Sequence, residues 1–274
     1  METGDCKLCL STGIDLRDSH FLPRSFYALL RTPDHAPVHL STEKLYSSVK
    51  QIKDYVFCNS CEQCFGKAEG WIKLMLPQIG GPFPLRDRLM KQTPVIQEPD
   101  WALYETASNP EINVEKFMHF GIGVFYKGSV HPWNNGTTRP YTPLAPEDQE
   151  ALRQYVLGNA NLPKNMALII SVDSLPVVWQ AMIQPYPAEP LQDFKHYLFY
   201  IPGILFQLLI GDSVQDAYPM SFNGNSNHPI ILRDVSHMMR DTAREQTAEA
   251  KRPRKLEQLT AELDAKGLSI RLGH

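Results

Sequence analysis

Five cysteines fall in the first quarter of the chain, and four of them form two matched pairs. Cys6-Lys7-Leu8-Cys9 is one C-x-x-C and Cys58-Asn59-Ser60-Cys61 is another. A C-x-x-C turn points both sulfurs the same way, and two such turns far apart in sequence can close one tetrahedral zinc site. Cys6, Cys9, Cys58 and Cys61 are therefore the expected ligands of a structural zinc. Four thiolates leave no open position for water, so this zinc organises the fold rather than reacting. Cys64 is also spaced C-x-x-C from Cys61, but it falls one turn into the following segment beside Phe65 and is read as a core residue. The odd, clustered count does not suit a disulfide framework, and no thioredoxin-like βαβ pattern surrounds the pairs.

Between the pairs lies Asp18-Ser19-His20-Phe21-Leu22-Pro23. A histidine titrates near neutrality, so His20 can take a proton from water at working pH. Glu62 follows the second pair directly, and a carboxylate is a natural Mg²⁺ ligand. At a helix start an acidic residue is favoured in any case. Arg24, Lys50 and Lys53 could touch phosphate. Lys67 and Glu69 read as an exposed helix face. His119 and His131 show no ligand spacing with the other histidines.

The order C-x-x-C, His-x-x-Pro, C-x-x-C opening a helix resembles the HNH endonuclease superfamily, the ββα-metal fold. The sequence is similar, more narrowly, to bacterial HNH-like proteins carrying Ser-His-x-x-Pro, Cys-x-x-Cys-Glu and a Phe-Gly-Lys-x-Glu helix. Those residues are Ser19–Pro23, Cys58–Glu62 and Phe65–Glu69 here. The specific match covers residues 6–71, with a looser likeness at Phe117–Val130 and Pro146–Tyr155. The resemblance implies metal-dependent hydrolysis of DNA phosphodiester bonds in bacterial defence. His20 would be the general base, with Glu62 close by as a ligand for Mg²⁺ or Mn²⁺. Three positions depart from the family motif. Ser19 stands where an acidic residue is usual, no Asn precedes the second pair, and Glu62 replaces the final His or Asn. The alternative reading is a non-catalytic zinc-stabilised module that binds DNA or protein.

The elements that must position these residues follow from patterning. From Cys61, Phe65, Ala68, Ile72 and Met75 recur at helical spacing until Pro77 stops the helix. Gly80-Gly81-Pro82 with Pro84 reads as a linker. Residues 115–130 read as a helix or buried segment. Pro146-Glu147-Asp148 reads as a helix start. Ala167–Val172 and Val177–Ile183 are β-rich. Tyr197–Ile210 reads as a hairpin turning at Pro202-Gly203. The predicted fold is α+β: a zinc-stabilised ββα-metal module at 1–76, a larger mixed α+β body at 85–232 and a charged helical segment at 233–274. In that last segment Leu256, Leu259 and Leu263 form a narrow stripe, a candidate dimer or self-packing contact.

Composition bounds the rest. The 274 residues are 43% hydrophobic and 21% charged, a globular balance. The net charge of −3 excludes a uniformly basic nucleic-acid coat, so any DNA contact is local or supplied by a protein partner or homo-oligomer. The longest apolar stretch is broken by Pro202-Gly203 and is shorter than the roughly 20 residues of a membrane span. With no signal-peptide pattern at the start, the expectation is a cytoplasmic protein without a membrane partner.

Overall fold

The computed structural model describes residues 2–29, 38–40, 45–47, 51–78, 80–133, 139–176 and 178–247. The C-terminal leucine stripe, Lys50 and the segment 134–138 lie outside them.

The chain opens with a three-stranded antiparallel sheet in the order β1-β2-β5. Its strands are β1 (Glu2–Gly4), β2 (Ile14–His20) and β5 (Lys53–Cys58). Strands β2 and β5 pair from Leu16 opposite Cys58 to His20 opposite Lys53, with a register shift between Arg17 and Asp18. Between them lie α1 (Arg24–Ala28) and a small ribbon of β3 (Val38–Leu40) with β4 (Leu45–Ser47). Cys58 ends β5 and caps α2 (Asn59–Met75). The buried face of α2 is Cys61, Phe65, Ala68, Ile72 and Met75, as the apolar spacing predicts. A turn closed by Gln78 N–H donating to Pro82 O leads to α3 (Pro84–Met90).

The second sheet has seven strands in the order β6-β7-β12-β8-β11-β10-β9. They are β6 (Ile96–Gln97), β7 (Trp101–Glu105), β8 (Met166–Asp173), β9 (Ile183–Leu191), β10 (Phe194–Ile201), β11 (Ile204–Ile210) and β12 (Pro229–Arg233). Strand β8 is buried at every position because it is central and covered on both faces. The β10–β11 hairpin turns at Pro202-Gly203 as expected. Gly203 sits at φ +75, and a Cβ there would lie 2.6 Å from the Phe83 ring, so only glycine fits. The β-rich run at Val177–Ile183 is displaced: residues 178–182 are not strand, and β9 begins only at Ile183. The strand then passes through Pro185, Pro187 and Pro190. Prolines disguise it in the sequence, yet they are tolerated because β9 is the sheet edge and needs no outward N–H.

Two helices join the sheets. Helix α4 (Val114–Val130) is capped by Asn113, whose side chain accepts from Lys116 N–H at 2.9 Å. It is buried nearly all round, with α2 on one side and the seven-stranded sheet on the other. Phe120 meets Phe206 of β11, and Phe117 meets Trp71 of α2. Helix α5 (Pro146–Val156) packs on α4 and begins at Pro146 with Glu147 and Asp148 in its first turn. The short α6 (Val214–Ala217) precedes β12, and α7 (Val235–Thr247) follows it. One apolar cluster runs from Cys6 and Leu8 through α2 and α4 to Leu232. Among the described residues no helix is long and apolar enough to cross a membrane.

Candidate metal centre

The two C-x-x-C turns meet although 49 residues separate Cys9 from Cys58. The four sulfurs of Cys6, Cys9, Cys58 and Cys61 all lie within 4.8 Å of one another. Cys9 Sγ and Cys58 Sγ are 3.9 Å apart. A tetrahedron with Zn–S of about 2.3 Å has S···S edges of about 3.8 Å, so the thiols already stand at ligand spacing. The folding reason is local: β5 delivers Cys58 beside the first turn, and Cys58 N–H donates to Cys6 Sγ at 3.4 Å. The first turn is held from behind by the body. Tyr126 Oη donates to Lys7 O, and Arg153 donates to Leu8 O at 3.0 Å. Four close cysteines of this kind could hold a metal ion such as zinc.

The electrostatics agree with a cation-binding cluster. The Cys6 thiol is pulled down to about 4, first by its hydrogen bond with Cys61 and then, against the opposing effect of burial, by the backbone N–H groups of Cys58, Cys9 and Leu8. Burial raises Cys58, but hydrogen bonds from Ser60 and from Cys61 N–H outweigh it and the net shift is downward. Cys61 is pushed up because it shares its proton with Cys6 in a buried place. Four thiolates this close repel one another unless a cation replaces the protons.

His20 stands at the other end of the β2–β5 ladder. Its Nε2 is 2.6 Å from Gln51 Oε1. Side chains alternate along a strand, and the burial follows: Ser19 is buried with Asp54 opposite it, while Asp18 and His20 turn out with Lys53 and Tyr55. Asp18 is taken up by an ion pair with Lys53.

The structure does not bring Glu62 to His20, contrary to the expectation from the motif. Helix α2 starts at the thiol cluster and runs back along the hairpin, so the residue level with His20 is Glu69. Lys127 Nζ lies 2.7 Å from Glu69 Oε1 and donates to His20 O at 3.3 Å. Glu62 is seven residues earlier, about 10 Å along the helix axis. Its Oε1 is buried with no hydrogen-bond partner. Glu69 is thus not the exposed helix-face residue the spacing suggested. Arg24 and Lys67 are exposed, as surface residues are. Among the described residues, the four cysteines are the only group of three or more His, Cys, Asp or Glu that could hold an ion.

Several residues here have no sequence signal. His131 Nε2 is 2.7 Å from Asp54 Oδ2, across 77 residues. Lys127 is only 1% exposed and lies over the Phe65 ring at 4.5 Å. Cys64 Sγ lies 3.6 Å from His119 Nε2. Burial raises the Cys64 thiol and lowers His119, which favours both neutral forms. Each pair is made by α2, β5 or the end of α4 meeting a distant element, which residue spacing cannot disclose.

Comparisons with protein-family models, curated proteins and solved structures return no match to this chain.

Proposed function

We propose that the N-terminal unit is an HNH-like module that hydrolyses DNA phosphodiester bonds, with His20 as the base. One observation carries the reading: a strand–strand–helix unit (β2, β5, α2) is pinned by four thiols at the β5–α2 junction and presents His20 at the far end of the hairpin. With Gln51 Oε1 accepting from Nε2–H, the lone pair of His20 is on Nδ1, the atom that would take the proton from water. Lys127, by binding the His20 carbonyl, fixes the backbone that carries the ring. Zinc, held by Cys6, Cys9, Cys58 and Cys61, supplies structure.

Dependence on Mg²⁺ or Mn²⁺ enters this proposal from the motif resemblance. Asp18, His20 and Glu62 do not converge, so no step is assigned to a protein-held divalent ion. A role in defence against foreign DNA rests on the same resemblance.

That lack of convergence favours a second reading, a non-catalytic zinc-stabilised module that binds DNA or protein. The test is cleavage of supercoiled plasmid by the full chain with Mg²⁺ or Mn²⁺, beside His20→Ala. Metal-dependent nicking lost in His20→Ala is the expected result. Nicking that survives the substitution removes His20 as base, and no nicking with any metal leaves the binding module.

A further inference from the structure

A second group of metal-type donors lies outside the four-thiol cluster. Helix α5 ends at Val156, and the next three amides bond elsewhere: Leu157 N–H to Arg153 O, Gly158 N–H to Tyr155 O and Asn159 N–H to Gln154 O. Two side chains from other helices converge on the Val156 carbonyl. Cys64 Sγ of α2 is 3.4 Å from that oxygen, and His119 Nε2 of α4 is 3.2 Å from it. The sulfur and the nitrogen are 3.6 Å apart. Sulfur, nitrogen and oxygen thus form a closed triangle, each corner from a different helix.

Those three separations are the edges of a tetrahedral face. With Zn–S of about 2.3 Å and Zn–N and Zn–O of about 2.0–2.2 Å, the ligand–ligand edges come to about 3.3–3.6 Å. A helix C-terminus carries partial negative charge from its unpaired carbonyls, which favours a cation there. Both side chains also line an open groove of about 870 Å³, whose walls include Lys67, Lys116 and Tyr155. A fourth ligand can approach from that groove.

We propose that Cys64, His119 and the Val156 carbonyl form a second, three-ligand site for a zinc-type divalent ion, with its fourth position open to the groove for water or an anion. Without the ion, the thiol and the imidazole N–H donate to the carbonyl. On binding, the thiol proton is released to water and the imidazole hydrogen moves from Nε2 to Nδ1, so sulfur and Nε2 each offer a lone pair. The ligand set is one soft, one borderline and one hard donor. It favours Zn²⁺ or Co²⁺ over Mg²⁺. This site is independent of the nuclease reading, since it uses neither His20 nor any of the paired cysteines.

The test is metal stoichiometry of the full chain, stripped and reloaded with Zn²⁺, then freed of unbound ion. Two ions per chain are expected, falling to one in Cys64→Ser and in His119→Gln. Both variants keep a donor for the Val156 carbonyl, so the end of α5 stays capped. Titration of the wild-type chain with Co²⁺, read by thiolate-to-cobalt absorption, is expected to rise in two phases. One ion per chain in wild type and variants alike, or a single-phase cobalt titration, overturns the second site and leaves the trio as a helix cap. No bound ion in the wild type overturns this site and the four-thiol centre together.

Discussion

Lys127 Nζ sits 2.7 Å from Glu69 Oε1, and the lysine is 1% exposed. This ion pair joins α4 to α2 inside the protein, and the same ammonium holds the carbonyl of His20. A buried cation of this kind is tolerated only while its partners remain. It therefore ties the geometry of the N-terminal hairpin to the body of the protein.

Removing one partner should be costly. Lys127→Ala is expected to destabilise the chain by about 3–5 kcal/mol, because it strands a carboxylate and opens a cavity. The double variant Lys127→Met with Glu69→Leu should recover most of that loss. Urea unfolding monitored by circular dichroism checks both. A loss below about 1 kcal/mol in Lys127→Ala would mean that the pair is effectively solvated.

The four-thiol centre should behave as a structural clamp. Chelation of the bound ion is expected to expose the β2–β5 amides to hydrogen exchange, since structural zinc sites supply on the order of 10 kcal/mol of apparent binding energy. Cys58→Ser should give the same pattern without chelator. Unchanged protection of Leu16 and Val56 after metal removal would contradict the clamp.

Two helical glycines should respond in opposite directions. A Cβ at Gly121 would lie 2.9 Å from the Phe206 ring and 3.2 Å from Leu168, whereas nothing lies within 4 Å at Gly66. Gly121→Ala is expected to cost about 1–3 kcal/mol through overpacking of α4 on the sheet. Gly66→Ala on α2 should gain about 0.5–1 kcal/mol from helix propensity alone. Thermal midpoints of the two variants against wild type decide the matter.

Asp173 is fully buried, and burial raises its carboxyl above the usual range despite hydrogen bonds from Ser236 Oγ and Leu175 N–H. The folded state therefore holds this proton more tightly than the unfolded one. Its contribution favours the fold at low pH and is lost as pH rises through the folded value. The stability of Asp173→Asn relative to wild type should accordingly improve between about pH 4 and about pH 7. Ser236→Ala should cost about 1–3 kcal/mol at neutral pH by leaving the carboxylate short of a donor. A relative stability for Asp173→Asn that is flat with pH would refute the raised value.

The sequence by itself determined the parts whose chemistry is local. Two C-x-x-C turns name a metal-type cluster because thiol geometry is set by the turn itself. The buried stripe Phe65, Ala68, Ile72 and Met75 names α2 because helical period puts those residues on one face. Pro202-Gly203 between apolar runs names the β10–β11 hairpin because the turn demands those residues. Strand β9 escaped, since its prolines read as loop until the sheet places it at an edge.

Tertiary structure alone decided what faces what. The direction of α2 along the hairpin sets Glu69, rather than Glu62, level with His20. The packing of α4 and α5 on α2 brings together Cys64, His119 and Val156 from three helices, and the end of α4 delivers His131 to Asp54. These meetings depend on where whole elements cross, and that is fixed by the shared core running from Cys6 to Leu232, which no spacing within a single segment encodes.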